Sequence, residues 1–125
     1  MTEASTSWQL DTVTYGGGSQ DGPRASVRLS RQKEQVHAEG RGNGLIDAVC
    51  HSISQATGVA ARVVAFRAYS VGPGSEAIGE VELEVEMPGR RRVTVRASST
   101  DLVEAAGRAF LAAINQHGSK AQGAR

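Results

Sequence analysis

The run GRGNG at residues 40–44 is the segment of this sequence best suited to bind a small molecule. Glycine admits positive φ and lets another molecule approach the backbone closely. Helical spacing begins directly after the run, and the free N–H groups at a helix start favour a phosphate or a carboxylate. Asp47, one turn into that helix, could hold an ammonium group, so the two features together suit an amino-acid zwitterion. The run also fits an ordinary tight turn with Asn43 near the helix cap, and spacing alone leaves both interpretations open.

Neither of two common nucleotide-binding loops is present, because no Gly-Lys-Ser/Thr follows the run and its glycines lack the G-x-G-x-x-G order. A second junction, SSTD at residues 98–101, places hydroxyl groups at the start of another predicted helix. Ordinary capping by Thr100 or Asp101 explains that junction, and Asp101 with Glu104 has near capping-box spacing.

Three consecutive arginines at residues 90–92 follow a predicted strand that carries Glu80, Glu82, Glu84 and Glu86. Cross-strand pairs of opposite charge contribute about 0.2–1 kcal/mol each, so acid–base pairing explains both runs as a solvated sheet face. A stripe that binds nucleic acid would carry stacking aromatic side chains rather than interleaved glutamates. We therefore expect no nucleic-acid partner.

The pattern contains no catalytic or metal-binding arrangement. The three histidines, His37, His51 and His117, lie far apart, show no ligand spacing, and are interpreted as surface residues. The single cysteine, Cys50, excludes an internal disulfide framework and falls on an apolar helix face as a small core residue. The sequence therefore predicts no metal, no cofactor and no catalytic residue.

Alternation of apolar and polar residues predicts the strands that position these junctions. In the first half, residues 25–30 alternate, and a two-residue turn at 32–33 would pair Leu29 with Val36 and keep the apolar side chains on one face. The helix that begins after the glycine run has a natural stop at Gly58.

The second half has the same order of elements. Residues 80–87 alternate cleanly before a Pro-Gly turn. A three-residue or bulged connection would pair Val85 with Val93 and set Glu86 beside Arg92, whereas a plain two-residue turn would mix the two faces.

The two halves also match directly. Shifted by 57 residues, Val36 falls on Val93 and Leu45 falls on Leu102, through the same strand–loop–helix junction. The fold class is therefore predicted to be α+β, with two repeated β-β-β-α units, each an antiparallel three-stranded sheet covered by a helix.

The predicted units occupy about residues 8–58 and 59–117, and the small polar ends at 1–7 and 118–125 are predicted to be disordered. One unit of about 55 residues would be only marginally stable alone, so the two must pack together.

Composition excludes several classes of protein. The 125 residues carry 14 basic and 13 acidic side chains, a net charge of +1, which argues against a general binder of nucleic acid or membrane surfaces. No run approaches the roughly 18 apolar residues of a membrane span, and the polar first residues lack a signal-peptide core. We expect a cytoplasmic protein, too short for a (β/α)₈ barrel of about 250 residues.

Three motifs in order resemble one known family. Residues 39–48, EGRGNGLIDA, resemble its G-x-G-N/D-G-P-I/V-D-A signature. Tyr69 with residues 76–81, EAIGEV, resembles its Y-x-V…G-x-D-A-x-G-E-V segment, and residues 99–105, STDLVEA, resemble its S-T-D-I-I-E-A helix start. The family is the C-terminal allosteric domain of 2-isopropylmalate synthase, shared with citramalate synthases, and the similarity covers roughly residues 8–117.

The resemblance implies a homodimer of paired β-β-β-α units that binds an end-product amino acid, leucine or isoleucine, and inhibits a TIM-barrel catalytic domain. It implies an effector pocket between helix N-termini near the dimer interface. Carried over by position, the pocket residues are Gly42, Asn43, Gly44, Ile46, Asp47, Val63, Phe66, Ser70, Ala77, Ser98 and Ser99. No enzyme activity is carried over, because the family's catalytic barrel and its divalent-metal site have no counterpart in this sequence.

Two positions depart from the family pattern: Leu45 replaces the usual proline after the glycine loop, and Phe66 replaces a tyrosine and its hydroxyl.

Two functions stay open. The first is a stand-alone or excised regulatory domain that binds leucine or a related branched-chain amino acid for feedback control of leucine biosynthesis, acting on a separate catalytic chain. The second is a dimeric binding or assembly module that has lost leucine sensing and recognises another small molecule or partner enzyme.

Overall fold

Two three-stranded sheets, each followed by a helix, make up the fold. The computed structural model describes residues 7–72 and 78–123. In chain order the elements are β1 (Gln9–Gly16), β2 (Arg24–Arg31), β3 (Glu34–Arg41), α1 (Leu45–Thr57), β4 (Arg62–Val71), β5 (Ile78–Glu86), β6 (Arg92–Ser99) and α2 (Leu102–Gly123). The first sheet has the order β1-β2-β3 and the second β4-β5-β6, and every pairing is antiparallel. The predicted α+β fold of two β-β-β-α units is confirmed.

Both predicted hairpin registers are also confirmed. Leu29 pairs with Val36 in the first sheet, and Val85 pairs with Val93 in the second. The first hairpin turns at Gln32, whose φ of 55° is the left-handed backbone that the twist of tight hairpins favours. These registers keep the apolar side chains of each sheet on the face that meets the helices.

A Pro-Gly turn makes the three-residue connection between β5 and β6. The N–H of Arg90 donates to the carbonyl of Met87 at 3.0 Å, and Gly89 has the φ of 85° that a type II turn requires after proline. Arg90 follows with a left-handed φ of 67°. Residues 88–90 form the turn, and the carbonyl of Arg91 accepts the N–H of Met87 at 2.6 Å to close it. The predicted cross-strand pairing with glutamates therefore explains Arg92 but not its two neighbours.

The internal repeat extends to irregular details. β1 has a register shift between Leu10 and Thr12, and β4 has one at the equivalent place between Val63 and Ala65. α1 and α2 begin at the two positions that the 57-residue shift predicts to be equivalent. A bulge preserved in both copies indicates that the two units follow the same backbone path.

The core lies between the sheets and the helices. α1 packs mainly on β2 and β3, α2 packs on β5, β6 and the edge of β1, and the two helices contact each other. At Gly107 of α2 a Cβ would lie 3.1 Å from Cγ1 of Val49, so glycine permits a close helix crossing there. The largest fully buried apolar side chains are Phe110, Leu29, Ile53, Leu83, Met87, Val27, Val49, Val81 and Val85.

The side chain of Asn115 ties the two units together. Its Oδ1 accepts the N–H of Trp8 at 2.8 Å, and its Nδ2 donates to the carbonyl of Trp8 at 3.0 Å. The guanidinium of Arg31 stacks 4.0 Å from the centre of the Trp8 ring. The start of β1 is thereby held against α2.

The last helix is longer than the sequence pattern predicted. α2 continues to Gly123, although we expected residues 118–125 to be disordered. This stretch contains Lys120, Ala121 and Gln122, which are good helix formers, and no proline interrupts it. In the part of the chain that the structure describes, neither helix combines the length and the apolar character needed to cross a bilayer.

Candidate functional site

The glycine loop between β3 and α1 is compact because its glycines touch the helix. At Gly40, the last but one residue of β3, a Cβ would lie 2.8 Å from the backbone N of Ser52. At Gly42 a Cβ would lie 2.7 Å from the backbone N of Ala48 and would collide with the Asp47 carboxylate. A side chain at either position would therefore push α1 away from the sheet.

Asp47 closes the loop from the first turn of α1. Its Oδ2 accepts the backbone N–H of Asn43 at 2.9 Å, and its Oδ1 lies 3.6 Å from Nε2 of His51. The other ring nitrogen of His51 lies 2.6 Å from the carbonyl oxygen of Arg41. His51 is an exposed residue, as predicted. Its contacts in the loop were not predicted, although its spacing four residues after Asp47 is the signal that could have indicated them.

Among residues 7–72 and 78–123, no side chain caps the N-terminus of α1. Gly44 is the N-cap residue, in an extended conformation with φ −154° and ψ 175°, and it has no side-chain oxygen to offer. Asn43 precedes the cap, and only its backbone N–H takes part in the loop closure by Asp47. The first backbone N–H groups of α1 therefore lack the side-chain acceptor that most helix starts have.

The N-terminus of α2 is capped by its own carboxylate. Asp101 Oδ1 accepts the N–H groups of Val103 at 2.9 Å and Glu104 at 3.2 Å, and Oδ2 accepts the hydroxyl of Tyr15 at 2.7 Å. Ser99 Oγ accepts the N–H of Asp101 at 3.1 Å and donates to the Glu104 carboxylate at 3.3 Å. The predicted ordinary capping of this junction is confirmed, with Asp101 as the cap.

This capping network shifts two ionisation equilibria. The hydrogen bond from Tyr15 lowers the pKa of Asp101 below its ordinary value, and the backbone N–H groups of Glu104 and Val103 act in the same direction. The same bond to an anionic acceptor raises the pKa of Tyr15. At Cys50, by contrast, burial raises the pKa of the thiol, so this side chain stays a neutral core residue.

The two helix starts differ at equivalent positions. The 57-residue shift places Gly44 on Asp101. Counted from the register shift that β1 and β4 share, Tyr15 corresponds to Ala68. A tyrosine and a carboxylate thus meet at the start of α2, whereas the residues at the two corresponding positions of the other unit are alanine and glycine.

Three predicted pocket residues share the helix-side face of β4. Val63, Phe66 and Ser70 pair with Val85, Leu83 and Gly79 of β5, which lie on the same face as the buried core. α2 lies over β5 and β6 and leaves this face of β4 open, so that the Phe66 side chain is 49% exposed. We call this open strip, which includes Val63, Phe66 and Ser70, the helix-side face of β4.

The remaining predicted pocket residues do not join this group. Ser98 pairs with Glu80 on the face directed away from the helices, so the structure does not bring it to the other residues. Ser99 lies on the helix side but bonds the cap of α2. Ala77 lies outside the described residues. Within 7–72 and 78–123, no group of three or more His, Cys, Asp or Glu side chains is arranged to hold a metal ion.

Comparison with known proteins identifies the family. Residues 1–117 match the model of the LeuA allosteric (dimerisation) domain. The chain belongs to that family. The resemblance noted from the three sequence motifs is thereby confirmed.

The relatives of this LeuA allosteric domain are much longer proteins. A 2-isopropylmalate synthase from Methylacidiphilum infernorum is 34% identical over 105 residues, covering 84% of this chain and 20% of that protein. A 2-isopropylmalate synthase from Brevibacillus brevis is 35% identical over 117 residues, which cover 93% of this chain and 23% of that protein. A 2-isopropylmalate synthase from Acidimicrobium ferrooxidans is 41% identical over 92 residues, which cover 74% of this chain and 18% of that protein. The chain therefore spans about a fifth of the length of these relatives.

Proposed function

We propose that this chain is the effector-binding regulatory module of a 2-isopropylmalate synthase-type enzyme. It binds leucine or a related branched-chain amino acid at the start of α1 and conveys feedback control to a catalytic barrel that this sequence does not include. Membership of the LeuA allosteric domain family supports the regulatory role, and relatives named 2-isopropylmalate synthase support the pathway.

The difference between the two helix caps carries this proposal. At α2 the Asp101 carboxylate accepts two backbone N–H groups at 2.9 and 3.2 Å. The equivalent donors at α1 are the N–H groups of Ile46 and Asp47, and Gly44 supplies no acceptor for them. The α-carboxylate of an amino acid provides the missing acceptor, and the helix dipole favours its charge.

The other two parts of an amino acid are matched by Asp47 in α1 and by apolar side chains of β4. The Asp47 carboxylate, whose side chain is 39% exposed, suits the ammonium group, because the bond from Asn43 uses only one of its lone pairs. The helix-side face of β4 offers Val63 and Phe66 to an aliphatic side chain, and Ala68 leaves the room that Tyr15 takes up in the other unit.

The same face of β4 suits pairing with a second copy of the chain. Phe66 on this face and Leu102 at the start of α2 are 49% and 40% exposed, and large apolar side chains left outside the core mark an interaction surface. Phe66→Lys should convert the dimer into monomer in sedimentation velocity. Thr94→Lys, an exposed change on the opposite face of the second sheet, should leave the dimer intact. Equal sedimentation of the two variants would show that the interface lies elsewhere.

A thermal-shift panel of amino acids tests the ligand. Leucine, isoleucine or valine at 100 times its Kd should add about 2.7 kcal/mol to the free energy of unfolding. For a domain of this size that is a rise of several degrees in Tm. If the chain is dimeric and none of the three amino acids raises Tm, the sensor function is excluded and the assembly module is the function that stays.

A further inference from the structure

A polar cavity lies at the end of the second sheet where β4 begins and the β5–β6 hairpin turns. Its volume is about 850 Å³, and three arginines, Arg62, Arg90 and Arg92, line it together with Glu86. Its floor is small and apolar, formed by Ala60, Ala61 and Met87. The effector site proposed above lies at the start of α1, whereas Ala60 and Ala61 follow the other end of that 13-residue helix, so this cavity is separate from it.

The charges that line this cavity do not cancel. Glu86 bonds Arg62 at 2.7 Å, and Arg92 lies 3.7 Å from Glu84. Within residues 7–72 and 78–123, Arg90 forms no ion pair with a carboxylate. Three guanidinium groups therefore face two carboxylates when Glu84 is counted, and the remaining positive charge at the cavity is that of Arg90.

The backbone of Arg90 is held in an unusual conformation. Its φ of 67° lies in the left-handed region, which glycine and asparagine adopt more readily than arginine. The register of the hairpin fixes this conformation, because Gly89 and Arg90 close the Pro-Gly turn. Arg90 therefore lies at the tip of the hairpin with its backbone in the left-handed region, as occurs where backbone strain serves a site.

We propose that this cavity binds a compact anion with two or more negative charges, of the diphosphate class. Arg90 and Arg92 are the primary ligands, and Glu86 orients Arg62 toward the cavity. The planar fork of a guanidinium matches two oxygens of a phosphate or carboxylate group. The lining residues that the structure describes include no aromatic side chain, so the cavity recognises the anionic group itself and no attached base.

Isothermal titration of the full chain with inorganic pyrophosphate, at about 0.15 M ionic strength, tests the proposal. The wild-type chain should bind it saturably. Arg90→Asn should raise Kd at least about tenfold, as expected on losing a charge-assisted pair, while Tm stays the same or rises, since asparagine tolerates the left-handed φ. Arg28→Asn removes the same charge from an exposed position on the first sheet and should bind as the wild type does.

The outcomes separate the sources of the anion. Tighter binding of pyrophosphate than of citrate identifies a phosphate ligand, and the reverse order identifies a polycarboxylate; both support the cavity if they depend on Arg90. The proposal is overturned if the wild-type chain shows no saturable binding of either anion, or if Arg90→Asn and Arg28→Asn weaken binding equally, because the attraction would then be a property of the net charge.

Discussion

Gly44→Asp should give α1 the self-capped start that α2 already has. The backbone of Gly44 is extended, which any residue adopts, and a Cβ there would meet no atom within 4 Å. The new carboxylate can therefore reach the N–H groups of Ile46 and Asp47, as Asp101 reaches those of α2 at 2.9 and 3.2 Å. It would occupy the position that we assign to the carboxylate of the effector.

The substitution has two effects of opposite sign. Aspartate exceeds glycine as an N-cap by a few tenths of a kcal/mol, and a negative charge at a helix start adds about 0.3–1 kcal/mol. Asp47 in the same turn offsets part of that gain, so the unliganded protein should be stabilised by about 0.5–1 kcal/mol, or about 2–4 °C in Tm. The effector-dependent gain of about 2.7 kcal/mol at 100 times Kd should disappear.

Differential scanning calorimetry with and without leucine measures both effects, and Gly44→Ala is the matched control. Alanine brings a Cβ but no oxygen, so this variant should lose about 0.5–1 kcal/mol of stability and keep its response to leucine. If Gly44→Asp responds to leucine as fully as Gly44→Ala does, the effector carboxylate does not bind at the start of α1.

Three further changes test neighbouring parts of the molecule. Asp47→Asn keeps an acceptor for the Asn43 N–H but removes the charge, so calorimetric titration should show that leucine binding is lost while Tm changes little. Undiminished leucine binding by this variant would show that Asp47 does not bind the ammonium group. Because Tyr15 lowers the folded-state pKa of Asp101, the stabilisation from this carboxylate is complete above its unfolded pKa of about 3.9 and is lost as pH falls through the folded value. Tyr15→Phe should therefore lower Tm at pH 7 and converge with the wild type in acid, and a Tm difference independent of pH would contradict this. Gly40→Ala should cost about 1–3 kcal/mol in chemical denaturation, since its Cβ would lie 2.8 Å from the backbone N of Ser52, and an unchanged midpoint would show that α1 can move away freely.

The strand registers could be predicted from sequence because each depends on a local rule. A slip of one residue between β2 and β3 would move Val36 from the core to solvent, so the apolar pattern admits only the pairing with Leu29 that is observed. The same rule required a three-residue connection between β5 and β6, since a two-residue turn would have mixed the faces. The family motifs then predicted an effector site at the glycine loop.

Features that depend on tertiary packing could not be predicted in this way. Tyr15 and Asp101 are 86 residues apart, and neither position signals that a hydroxyl from β1 reaches the start of α2. β4 is rich in valine and aromatic residues, as a covered strand is, yet α2 leaves Phe66 exposed. The charge pattern predicted pairing for three arginines, but the turn geometry removes Arg90 from the strand. That geometry depends on the left-handed φ of Arg90 itself, which the charge pattern does not indicate.

Titration calorimetry of the full chain with leucine and with leucinamide tests the central claim most directly. Leucinamide keeps the ammonium group and the aliphatic side chain but has no carboxylate. If the uncapped N–H groups of Ile46 and Asp47 hold the carboxylate, leucine should bind saturably and leucinamide should show no measurable binding. Equal binding of the two compounds, or no binding of leucine, isoleucine or valine, would contradict the claim that the start of α1 is an amino-acid effector site.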